Sequence, residues 1–100
     1  MIDLQPEQLK RVIQILDTFV PTTTVWAFGS RVKMTADEHS DLDIVIAGKQ
    51  KIPQQIFYQL KDAFEESDLP IMVDVLDWHR ISHSFQKNIK ACYTKIYPVE

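Results

Sequence analysis

Three short segments hold side chains that are costly as structure and useful as chemistry: Gly29-Ser30-Arg31, Ser40-Asp41-Leu42-Asp43 and Val73-Asp74-Val75. Asp43 and Asp74 each interrupt an apolar run, where an unpaired ionised carboxylate costs several kcal/mol or is driven to take a proton. Asp41 and Asp43 are two positions apart, so on a strand they share one face with Cβ atoms roughly 6.5 Å apart at ~3.3 Å rise per residue. With Asp74 on an adjacent strand, three carboxylates converge. Each like-charged pair at roughly 5–6 Å repels by about 3 kcal/mol at an effective dielectric constant near 20. Such a cluster suits a hard divalent cation, Mg2+ or Mn2+ rather than zinc. A glycine and a serine at a strand end let the backbone approach a ligand and offer N–H groups and a hydroxyl, the donors a phosphate requires. Arg31 and Lys33 are further candidates for phosphate contact, against the commoner role of solvated loop cations. The plainer alternative stays open at this level: Asp41 caps a turn, Asp43 and Asp74 face solvent, and Gly29-Ser30 merely ends a strand.

The elements that must position these residues are legible from periodicity. Pro6 and Glu7 suit the first turn of a helix. Leu9, Val12, Ile13, Leu16 and Val20 then repeat at helical spacing until Pro21 and the threonines 22–24. Val25 to Phe28 reads as a short buried strand ended by Gly29-Ser30, and Arg31 to Ser40 as loop or a short helix. Leu42 to Ala47 is a second strand, closed by Gly48. Pro53 opens a second helix with Ile56, Phe57, Leu60, Ala63 and Phe64 on one stripe. Ile71 to Leu76 is a third strand. From about Ser82, the spacing of Phe85, Ile89, Cys92 and Ile96 predicts a third helix with an apolar seam. The expected fold is a small α/β (α+β) layer structure in the order α-β-β-α-β-α, with helices packed on a mixed three-stranded sheet.

The chain has 100 residues, 45% hydrophobic and 25% charged, which predicts one globular domain over 1–100 and excludes disorder, collagen and coiled coil. With 11 Lys+Arg against 14 Asp+Glu the net charge is −3, so bulk charge does not draw in nucleic acid. Cys92 is the single cysteine and no Cys/His cluster has zinc spacing. The start Met1-Ile2-Asp3-Leu4-Gln5-Pro6-Glu7 lacks the features of a signal peptide, and no run approaches a membrane span. The expected location is the cytoplasm.

The three segments, in this order, resemble the nucleotidyltransferase superfamily that includes DNA polymerase beta, with its Gly-Ser turn, Asp-x-Asp pair and third acid on a later strand. More closely, Val25-Trp26-Ala27-Phe28-Gly29-Ser30-Arg31 and Ser40-Asp41-Leu42-Asp43 are similar to the characteristic segments of the minimal nucleotidyltransferase (MNT) family, and the resemblance extends over essentially the whole chain. It implies a polymerase beta palm-like fold, a triphosphate held at Gly29 and Ser30 with Arg31 beside it, two Mg2+ ions bound by Asp41 and Asp43, and Asp74 completing the reaction-side metal site. One departure is that many relatives carry a glycine a few residues beyond the Gly-Ser-Arg, where this chain has Met34 after Lys33, implying a less tightly turned loop.

The family is typically encoded beside an all-helical HEPN ribonuclease toxin, which implies an antitoxin in a hetero-oligomer. Some members transfer AMP from ATP to a tyrosine of the toxin, and that is the leading expectation. The competing class is a binding module that neutralises the toxin by complex formation with a vestigial nucleotide site. Transfer to RNA or a small drug is disfavoured by the absence of a basic groove or a substrate domain. His39, His79 and His83 form no ligand pattern and read as surface or capping residues. Trp26 and Trp78 read as core or interface aromatics, Cys92 as a small hydrophobe, and Lys87, Lys90 and Lys95 as the solvated side of the last helix.

Overall fold

A computed structural model describes residues 2–99; Met1 and Glu100, the two ends of the expected domain, lie outside the described residues. Helix α1 spans Pro6–Phe19, with Pro6 in its first turn and the Gln8 side chain accepting from the Gln5 N–H. It buries Val12, Ile15 and Leu16. Strand β1 (Val25–Phe28) runs into the one-turn helix α2 (Ser30–Lys33). Strand β2 (Leu42–Ile46) is followed by helix α3 (Gln54–Glu65), strand β3 (Val73–Asp77) and a 3-10 turn at Trp78–Arg80. Helix α4 (His83–Ala91) is capped by the Ser82 hydroxyl, which accepts from the Phe85 N–H.

The sheet has four strands, in the order β3-β2-β1-β4. Strand β4 (Tyr93–Tyr97) pairs antiparallel with β1, so the segment expected to finish the last helix is instead an edge strand. The spacing of Phe85, Ile89, Cys92 and Ile96 was compatible with a helix, yet Tyr93-Thr94-Lys95-Ile96-Tyr97 is aromatic and β-branched and favours the pleat. Pairing also satisfies the donors and acceptors along β1 that an uncovered edge would leave exposed. Cys92 accordingly caps α4, and Lys95 belongs to β4 rather than to a basic helix side. Tyr97 pins the far end of β4: its hydroxyl donates to Asp17 Oδ1 at 2.5 Å and accepts from the Thr22 N–H at 3.1 Å.

Strand alternation divides the sheet into two different faces. On one, Val25, Ala27, Leu42, Ile44, Ile46 and Val75 pack with Val12 and Leu16 of α1 and Leu60 and Phe64 of α3 into the main core. On the other, α4 covers part of the surface: Phe85 meets Phe28 edge to face at 6.0 Å, and the Lys90 ammonium lies 5.2 Å from the Trp26 ring. Asp43 lies on this second face. Among the described residues no helix is long and apolar enough to cross a membrane.

The loop after α2 turns as tightly as a glycine would allow, contrary to the expectation from Met34: this residue adopts the left-handed conformation, φ 61°, with a half-exposed side chain. A Cβ in that region is strained by about 1–2 kcal/mol, partly offset by the greater unfolded-state entropy of glycine. Met34→Gly is therefore expected to stabilise the fold by about 0.5–1 kcal/mol, read as a rise of a few degrees in Tm.

Candidate active site

The site begins where β1 ends. Gly29 has φ 78° and ψ −156°, a conformation favouring glycine, and its carbonyl accepts from the Val32 and Lys33 N–H groups to start α2. Close approach is the second reason for glycine: a Cβ there would sit 2.4 Å from Asp43 Oδ2. The bare backbone of the turn thus lies directly against a carboxylate. Gly29→Ala must displace one or the other, and the expected result is a measurable loss of Tm and, for the transfer that the sequence resemblance implies, a 30- to 100-fold fall in rate, about 2–3 kcal/mol of barrier.

Register brings the acids together. Phe28 pairs with Asp43 across β1 and β2, and Asp43 pairs with Asp74 across the parallel β2 and β3. Paired residues share a face, so Asp43 and Asp74 lie side by side on neighbouring strands. Asp41 stands just before β2, where the Leu42 N–H donates to the Met72 carbonyl at 2.9 Å and so joins the β3 edge. The electrostatics record the gathering: burial first, then the charges of Asp74 and Asp41, hold the Asp43 pKa above its ordinary 3.8. Among the described residues no group of three or more His, Cys, Asp or Glu side chains forms a ready-made metal cage. Asp43 and Asp74 share a face, and Asp41 adds its charge to the field at Asp43. An all-carboxylate donor set, with one member disfavoured as an anion, is chemically suited to a hard divalent cation that supplies the missing positive charge.

Beside Asp41 and Asp74 a cleft of about 500 Å3 opens towards α3, lined also by Lys61, Phe64, Glu65 and the strongly exposed Met72. Sequence marked none of these α3 residues as part of a site: Phe64 was read only within the apolar stripe of its helix, and nothing in the spacing of Lys61 and Glu65 relates them to the acids.

Arg31 differs from its expected role. Its side chain is buried, 6% exposed. Nε and Nη2 donate to the Ser40 carbonyl at 3.2 and 2.9 Å, Nη1 donates to the Asp3 carbonyl at 2.9 Å, and Nη2 also reaches the carbonyls of Asp37 and Glu38. The guanidinium is a clamp on the loop that delivers Asp41, not a cation facing phosphate. Within that loop Asp37 Oδ1 accepts from the His39 N–H, and the Ser40 hydroxyl accepts from the Asp37 N–H. Lys33 is exposed.

Sequence also passed over Asp77, which ends β3 almost fully buried. It accepts from the Ile52 and His79 N–H groups and is paired with Arg80, a structural acid with every need met inside the fold. His79 in turn lies 2.7 Å from the Gly48 carbonyl. Trp26 and Trp78 meet edge to face at 5.3 Å, in keeping with packing roles.

The family model described as "Polymerase beta, Nucleotidyltransferase" matches residues 10–98. The chain is 44% identical to the probable protein adenylyltransferase MntA of Haemophilus influenzae, over 99% of this chain and 87% of that protein. Among solved structures it resembles a toxin-antitoxin with AMP-PNP, at TM-score 0.74 and 19% identity over 92% of this chain and 74% of that one. It also resembles a complex of tri-AMPylated HEPN toxin with MNT antitoxin from Shewanella oneidensis, at TM-score 0.70 and 18% identity over 96% of this chain and 74% of that one. At such identities the structural likeness speaks for the fold.

Proposed function

The chain belongs to the polymerase beta nucleotidyltransferase family, and from that premise we propose that it is a Mg2+-dependent protein adenylyltransferase acting as an antitoxin. It transfers AMP from ATP to a tyrosine hydroxyl of a HEPN ribonuclease toxin with which it forms a hetero-oligomer in the cytoplasm. The observation that carries this reading is the pairing of Asp43 with Asp74 under the Gly29 turn. The 44% identical MntA, named as a probable protein adenylyltransferase, supports the reaction class. The AMPylated toxin in complex with an MNT antitoxin supports the partner class.

In this reading Asp41, Asp43 and Asp74 would hold divalent cations, which would supply the positive charge that an in-line displacement at phosphorus requires. The Gly29 backbone and the Ser30 hydroxyl receive the β- and γ-phosphates. The tyrosine enters from the cleft beside Asp74, which orients its hydroxyl and accepts its proton. The new bond joins the tyrosine oxygen to the α-phosphorus, the bond to the bridging oxygen breaks, and pyrophosphate leaves.

The test is to incubate the chain with ATP, Mg2+ and the HEPN partner encoded beside it, and weigh the partner. Whole adenylate increments mapped to tyrosine are expected. A tightly bound but unmodified partner would leave only neutralisation by complex formation, and label appearing in RNA would redirect the reading to an RNA acceptor.

A further inference from the structure

Two aromatic side chains near the acids keep part of their rings exposed: Tyr93, at 39%, and Phe85, at 40%. Their place in the fold is specific. Across the sheet, one row reads Tyr93, Phe28, Asp43, Asp74, each paired with the next and all on one face. Phe85 of α4 stands edge to face against Phe28, and the Tyr93 ring lies 4.3 Å from Trp26. The aromatic pair therefore flanks the acids on the β4 side, while the 500 Å3 cleft flanks them on the β3 side.

An in-line transfer assigns directions to its three participants. The attacking group and the departing phosphates lie on opposite sides of the α-phosphorus, and the nucleoside must leave along a third path. Acceptor and phosphates occupy the Asp74 cleft and the Gly29-Ser30 turn in the reading above. The remaining direction runs along the row past Phe28 towards β4, where neighbouring strands about 4.8 Å apart place Tyr93 roughly 10 Å from Asp43, a separation that the α-phosphate and ribose cover together. Trp26 is a poorer surface, since Trp78, Tyr93 and the Lys90 ammonium already surround its ring.

Resting on the adenylyl-transfer reading, we infer that Tyr93 and Phe85 form the stacking surface for the nucleobase of the bound triphosphate. Stacking on an aromatic side chain needs no hydrogen-bond code, so the surface favours large purine faces over pyrimidines by contact area.

The test is calorimetric titration of the full chain with AMP-PNP and, separately, inorganic tripolyphosphate, both with Mg2+. Tyr93→Ala and Phe85→Ala are each expected to raise the Kd for AMP-PNP about tenfold and leave tripolyphosphate binding unchanged. Tyr93→Phe, which keeps the ring, is expected to bind AMP-PNP as the parent does. An unchanged AMP-PNP Kd in both alanine variants overturns the inference while leaving adenylyl transfer standing, and so does equal weakening of both ligands. Loss of partner binding with intact AMP-PNP affinity would assign the two rings to the protein interface instead. If the parent chain binds neither ligand and leaves its partner unmodified, the adenylyl-transfer reading itself fails.

Discussion

Asp43→Asn is expected to lower AMP transfer by at least a thousandfold, about 4 kcal/mol of barrier, and at the same time to raise the Tm of the metal-free protein. The two effects have one cause. Asp43 is half-buried, pressed against the Gly29 backbone and paired with Asp74, and its carboxylate is disfavoured by burial and by both neighbouring acids. The amide keeps the shape and removes the charge. Solvent around Asp41 and Asp74 screens much of the repulsion, so the gain is about 1 kcal/mol, or roughly 5 °C.

The same residue gives a pH signature whose sign is opposite to that of a salt-bridged acid. Because the folded pKa lies above the unfolded 3.8, the folded state holds the proton more tightly. Its contribution to stability is full below 3.8 and is lost as pH rises through the raised value. Metal-free parent protein should thus fall behind Asp43→Asn in Tm across that window, and the gap should close when Mg2+ is added to the parent. A Tm that drops on Asp43→Asn, with no pH-dependent gap, would mean the carboxylate is a structural acceptor.

The helices α1 and α3, strands β1 to β3 and the place of Asp43 and Asp74 inside strands were legible because each obeys a local rule: a 3.6 or 2.0 period, a proline start, a glycine stop, an acid in an apolar run. The stretch Tyr93–Tyr97 was not, since the spacing that marks a helix seam coincides there with an aromatic and β-branched edge strand, and only the exposed side of β1 decides between them. Asp77 shows the limit of the acid-in-a-strand rule. Three positions after Asp74 on the same strand, it is absorbed by Ile52, His79 and Arg80 from flanking segments that sequence spacing does not connect to it. Convergence is similarly a property of register: Asp74 meets Asp43 because α3 returns β3 parallel to β2 with those two residues opposed. The conflict between an acid and its strand marked Asp43 and Asp74 as candidates, and topology set them side by side.

Arg31→Ala is expected to destabilise the protein by about 3–5 kcal/mol, lowering Tm by more than about 10 °C. A buried guanidinium donating to the carbonyls of Asp3, Asp37, Glu38 and Ser40 leaves those acceptors unsatisfied when it is removed. Arg31→Lys is the sharper experiment. Lysine retains the charge yet cannot span four carbonyls with one ammonium, so it is expected to lose about 1–3 kcal/mol and remain folded. Were Arg31 a phosphate ligand, the lysine variant would keep its Tm and show only a weaker grip on ATP. As a clamp on residues 37–40 it acts through Asp41. Arg31→Lys should then speed amide exchange in that loop and weaken Mg2+ binding by about 10- to 100-fold, the usual scale for losing a group that orients a ligand. The weakening should be the same with or without nucleotide present, because the lost restraint lies behind the carboxylate and not in front of the phosphates.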